Sequence, residues 1–193
     1  MATEVSICSN ALRRLGDSPI TSLTEDSERA RLCNAFYEPS RDAVLRSHTW
    51  NFAINRANLA KLSAAPAFEY ANQFALPTDP FCLRVLKMEF EDYEFKVENL
   101  AGQGRVLLTD EGEAKIIYIA RVTDPSLFDS MFVDVLTAKL AVDLAYPVTN
   151  STTLQAQMQK LFERKLSEAR SLDSTEGSTD SIISTVFTDF RAP

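Results

Sequence analysis

Apolar side chains fall every three or four positions along most of this chain and every second position in one central stretch. The two periods predict helical and strand segments respectively. Near the start, Val5, Cys8, Leu12 and Leu15 repeat at helical spacing between Thr3, a good N-cap, and Gly16, a good stop. Arg13 and Arg14 suit the negative pole of that helix. A longer pattern runs from Asp26 to Leu62. Ala30, Cys33, Tyr37, Val44 and Ser47, with Ser40 in the gap, line one side, and Arg29, Glu38, Arg41, Asp42 and Arg46 take the others. Ser27 or Asp26 caps its start, and Pro39, which lacks an amide hydrogen, predicts a kink. The pattern closes on Trp50, Phe52 and Ile54. It therefore predicts a central helical strut ending in an aromatic cluster, its last helical piece stopped by Ser63 to Pro66.

From Leu83 the period changes to two. Leu83 and Val85 alternate with Arg84, and Tyr93, Phe95 and Val97 alternate with Glu94, Lys96 and Glu98. Residues 105–109 and 115–122 are rich in Val, Leu and Ile, and Asp110 to Glu113 between them predicts a tight hairpin turn. These segments predict a small antiparallel sheet with one face on the helices. Asp124 and Pro125 then open a helix to about Tyr146, apolar on two faces (Phe128, Phe132, Val135, Val142 and Ala145; Met131, Leu136, Leu140 and Leu144) and so buried on several sides. Pro147 is expected to end it. Thr149 to Ser151 cap a last helix to about Leu172, with a stripe of Leu154, Met158, Phe162, Leu166 and Ala169 and with Lys160–Glu163 and Arg164–Glu168 as surface pairs.

The pattern thus predicts an α+β fold, mainly α. Residues 1–80 and 123–172 form a helical core, 81–122 an inserted antiparallel β-sheet module, and 173–193 an extended tail. In that tail Ser and Thr alternate with acids around a cluster of Ile182, Ile183, Val186, Phe187 and Phe190. Alone, such a segment buries too little surface to offset the entropy of ordering it. It either stays unstructured or adds a strand to an exposed sheet edge on another chain.

Composition narrows the function classes. Among 193 residues the net charge is −7, which opposes DNA binding by counterion release and suits a surface that DNA slides past. Three well-separated cysteines without a Cys-x-x-Cys pair predict reduced, buried thiols. No stretch approaches the ~20 apolar residues of a membrane span, and no leader-like run opens the chain.

Candidate chemistry is thin. His48 is the single histidine, and a Cys–His nucleophile would need Cys8, Cys33 or Cys82 beside it. Cys33 lies about 20 Å away if the strut is continuous, so a histidine packed at a helix end is the stronger reading. The acidic turn Asp110 to Glu113 lacks the ligands of a calcium loop, and no phosphate-cradling glycine loop is present. No enzyme activity, cofactor or metal is expected. Arg13, Arg14, Arg29, Arg31, Arg41 and Arg46 make the first third locally basic. They read either as a solvated helix face or as a contact with acidic elements of a neighbouring subunit.

A series of blocks carries a family likeness: Ala11 to Gly16, Ser27 to Ala30, Cys33 to Tyr37, Arg41 to Arg46, His48 to Ala53, Arg56 to Ala60, Leu76–Pro77, Leu83 to Leu86, and Tyr118 to Pro125. In order and spacing they resemble the tail tubular protein A family of short-tailed phages and prophages, which are head-to-tail connectors, or adaptors. Thr49 departs from the proline expected of that family, and the tail after Asp173 lies outside the likeness. The resemblance implies a non-enzymatic virion protein, made in the host cytoplasm. It implies a homo-oligomeric ring, typically of twelve copies, below the portal protein. That ring extends the channel through which double-stranded DNA passes without specific contacts, and it docks the tail nozzle. The fold it implies is a helical bundle with a small sheet. On this reading the candidate contacts with subunits or portal are Arg41, Arg46, Phe128, Met131, Phe132, Glu163, Glu168 and the apolar tail residues Ile182, Ile183, Val186, Phe187 and Phe190. A soluble helical oligomer with a binding or regulatory role is the competing expectation.

Overall fold

A computed structural model describes residues 2–175. The chain is α+β and mainly α, with helices α1 (Glu4–Arg14), α2 (Glu28–Ser47), α3 (Ser130–Thr149) and α4 (Thr152–Asp173). Seven strands follow the second helix or precede the third: β1 (Ile54–Asn58), β2 (Ala60–Lys61), β3 (Asn72–Ala75), β4 (Cys82–Met88), β5 (Lys96–Leu100), β6 (Gly104–Thr109) and β7 (Lys115–Ala120). The expected tail cluster, Ile182 to Phe190, lies outside the described residues.

The helix ends are written in local chemistry. The Thr3 hydroxyl accepts the Ser6 amide while the Ser6 hydroxyl accepts from Thr3, a reciprocal cap. At the other end Gly16 has φ of +78°, and the amides of Gly16 and Asp17 return to the carbonyls of Arg13 and Leu12. Two otherwise orphaned carbonyls are thereby satisfied, at a conformation that favours glycine. Ser27 and Ser151 cap α2 and α4 as expected, and Asp129 caps α3. Helix α3 packs against α1, α2 and α4 and buries Val135, Leu136, Leu140, Ala141, Leu144 and Ala145, which accounts for its all-round apolar pattern.

Helix α2 passes through Pro39 without interruption; Ala35, whose carbonyl loses its usual partner, is on the exposed side where water can replace it. Three expectations about element ends are corrected. Asp124 and Pro125 open only a 3₁₀ turn at Pro125–Leu127, and α3 starts at Ser130 behind its own cap, Asp129. Pro147 does not end α3, which runs on to Thr149. The stop is Asn150, left-handed at φ 51°, donating its amide to the Tyr146 carbonyl at 2.8 Å. The strut itself ends at Ser47, not Leu62. His48 is extended, and the indole of buried Trp50 turns back to donate to the Val44 carbonyl at 2.9 Å. A 3₁₀ turn at Asn51–Ala53 leads directly into β1, so the chain continues as the two strands β1 and β2, broken at Leu59, and not as helix.

The β part is consequently wider than the expected 81–122 and forms two antiparallel sheets. One has the order β1-β7-β4, the other β2-β3-β6-β5. The predicted hairpin across Asp110 to Glu113 does not form: β6 pairs with β3 and β5, whereas β7 pairs with β1 and β4. The acidic turn instead steps the chain from one sheet to the other. Asp110 accepts the Ala71 amide there, and the carbonyl of buried Ala114 accepts from Leu59.

The alternation along β7 explains the layering. Ile119 packs with the helices, while Ile116, Tyr118 and Ala120 point the other way into a second core with Phe74, Leu76, Cys82, Met88 and Leu107. The three-stranded sheet is therefore the middle layer, sandwiched between the helical body and the four-stranded sheet.

Candidate functional site

The C-terminal half of α2 meets the starts of β4 and β5 at the joint between helices and sheets. An open groove of about 470 Å³ lies here, lined by Arg46, Phe81, Leu83 and Arg105 together with Val97, Glu98 and Asn99 of β5. Arg105 donates to the Cys82 and Leu83 carbonyls, so its guanidinium bridges from one sheet to the edge strand of the other. Arg46 is exposed and has no carboxylate partner among the described residues. Glu98 is held by Lys96 at 3.2 Å. The groove thus presents apolar walls with surplus positive charge, on a chain whose net charge is −7. Burial raises the Cys82 thiol above its ordinary range, only partly opposed by Arg105 and Arg46 nearby.

Phe81 also borders a second groove of about 480 Å³, with Phe52, Asp79, Arg121 and Leu127 on its walls. Between the two, the Arg121 guanidinium stacks 4.4 Å over the Phe81 ring and reaches Asp42 at 2.7 Å. The other Asp42 oxygen receives Arg41 at 3.0 Å. One carboxylate of α2 thereby locks the helix to β7's exit.

This arrangement sorts the residues expected at an interface. Arg41 is only 3% exposed and is engaged by Asp42, so it presents nothing to a partner. Phe132 is fully buried, its ring 5.2 Å from Trp50, 5.0 Å from Phe52 and 4.9 Å from Phe128. Both correct the contact role that the resemblance suggested, and the burial of Phe132 agrees with the spacing, which marked this helix as enclosed on several sides. Phe128 and Met131 are half-buried against the same core. Glu163 and Glu168 are exposed on α4, away from Arg46's groove lining. Glu163 accepts from Gln159, not Lys160, and Glu168 pairs with Arg164 and Lys165.

His48 is placed by packing. Its ring stands edge-on to Trp50 at 5.0 Å, and its Nε2 meets Asp173 Oδ2 at 2.9 Å. Asn51 donates its amide to the same carboxylate and its side-chain nitrogen to the Asp173 carbonyl, while Arg170 donates to the Ser47 carbonyl at 2.7 Å. These contacts clamp the end of α4 onto the end of α2. The cysteines are elsewhere: Cys8 and Cys33 face each other between α1 and α2, and their mutual hydrogen bond and burial hold the Cys8 thiol far above its ordinary range. No cluster of His, Cys, Asp or Glu side chains suited to a metal ion occurs among the described residues, and none of their helices is long and apolar enough to cross a membrane.

Sequence reasoning missed Arg105, Phe81, Arg121 and Asp173. Nothing in the strand pattern distinguishes Arg105 from any outward-facing residue, because its role arises from strand order. Asp173 was assigned to the tail, although it is the last residue of α4. Compared with protein-family models and with curated proteins, the chain matches none.

Proposed function

We propose that this chain is a structural subunit that acts by assembly: a head-to-tail connector that forms a ring below a viral portal, extends the DNA channel and docks the tail nozzle. One observation carries the reading. The sequence blocks that resemble tail tubular protein A fall on the joints of the fold. Gly16 ends α1, Ser27 caps α2, Trp50 closes α2 over Val44, and Arg121 locks β7 to Asp42. Residues at such joints define the shape of a building block. A helical flank bearing exposed Glu163 and Glu168 offers side contacts to copies, and the negative net charge lets DNA pass without adhering.

The test is to mix the purified chain with its cognate portal protein and to image the particles by electron microscopy. An added ring on the portal is the expected result. Bare portals across salt and protein concentration would reject the proposal.

A further inference from the structure

We propose that the groove between α2 and the two sheet edges receives this chain's own C-terminal segment, residues 180–190, from the molecule that carries it. The inference does not depend on the connector reading. Three observations converge on it.

The first is where the described chain ends. Asp173 is bound by His48 and Asn51, and Arg170 by the Ser47 carbonyl, so the chain leaves α4 beside the C-terminal end of α2. Arg46, the residue before Ser47, lines the groove. Ile182 lies seven positions beyond Thr175, a reach of up to about 24 Å.

The second is charge. Arg46 lacks a carboxylate partner among the described residues, Arg105 spends its guanidinium on main-chain carbonyls, and the one lining acid, Glu98, is held by Lys96, which it shares with Glu69. The two arginines of the lining therefore outnumber its single acid. In the segment, Asp180 and Asp189 flank the apolar residues.

The third is shape and polarity. Phe81, Leu83 and Val97 supply apolar walls, which match Ile182, Ile183, Val186 and Phe187 between the two acids. β5 is the outermost strand of its sheet, so one side of its backbone has no strand partner among the described residues and can pair with a docked peptide.

The test uses the full chain with a photo-reactive benzoyl-phenylalanine in place of Phe187, prepared in ordinary and ¹⁵N-labelled forms and mixed at low concentration before irradiation. Peptide mapping is expected to place the cross-links on residues 81–83 and 97–105, with both halves of each cross-link carrying the same label. Arg46→Glu, at an exposed position with no partner to lose, should lower that yield by about fivefold or more while leaving the circular dichroism unchanged. Cross-links elsewhere, no cross-links, or an unchanged yield in Arg46→Glu would overturn the proposal. Label-mixed cross-links would overturn it too, by showing that the occupant belongs to a second copy. A chain that fails to form rings on a portal would leave all of these readouts intact.

Discussion

The helical body and the sheet module share one wall, yet they are built on different terms. In the helical body α3 is enclosed by three other helices, and Trp50, Phe52, Phe128 and Phe132 meet ring to ring at its foot. In the module, the core is a thin layer between two sheets. On the outer sheet, Gln73 of β3 donates to the Ala64 carbonyl in the loop that follows β2. The middle sheet belongs to both: one face of β7 feeds the helical core and the other feeds the thin one. The lesson is that the joint is a buried layer and not a linker, so the two regions should unfold together.

The hardest test of that comparison is Phe132→Ala. Removing a ring that touches three others should cost about 3–5 kcal/mol. Denaturation followed by Trp50 fluorescence and by far-ultraviolet circular dichroism should give one coincident, lowered midpoint. Two separate transitions would show that the module stands alone.

A finer test compares two isoleucines on one face of one strand. Ile119 is fully buried against the helices, whereas Ile117, two residues back, lies half-buried beyond their reach beside Arg56. Ile119→Ala should cost about 2–5 kcal/mol and Ile117→Ala under about 1.5 kcal/mol. Equal losses would contradict the layering.

The regions also differ in how openly the sequence announces them. Thr3, Ser6 and Gly16 state the limits of α1 within a few residues, and the all-round apolar pattern of α3 states its burial. Sheets pair at a distance, so β6 and β7 looked like a hairpin although each finds its partners elsewhere. The strand at Ile54 was hidden by a strut with no glycine or proline after Ser47; the stop is a tryptophan indole, which no capping rule marks. The groove was least legible. Arg46 and Arg105 meet only because of strand order, and Arg41, on the same helix, looked equally accessible but is buried on Asp42.

Smaller effects sharpen the picture of the helical core. The Tyr37 hydroxyl is buried without a hydrogen-bond partner among the described residues, and burial raises its pKa. Tyr37→Phe should leave stability unchanged or raise it by up to about 1 kcal/mol, measured by denaturant titration. A clear loss would mean that the hydroxyl has a partner.

The smallest effect lies at the entrance to α2. Hydrogen bonds from the Thr21 hydroxyl and amide and the Ser27 hydroxyl hold the Glu25 carboxyl down to about 2, from an ordinary 4.5. Because the folded value is the lower one, its contribution is complete above the ordinary value and is lost as pH falls toward 2. A carboxyl-carbon NMR titration should place Glu25 well below the other glutamates; an ordinary midpoint would mean that this turn is open in solution.

The proposed role is assembly with other protein subunits at a capsid vertex. Native mass spectrometry of the cognate portal protein, before and after incubation with the chain, tests it most directly. The account predicts one discrete mass gain equal to a closed ring of copies, about twelve if the symmetry follows the resemblance. A portal whose mass stays unchanged, or rises by a broad and unsaturable series of single copies, would contradict it.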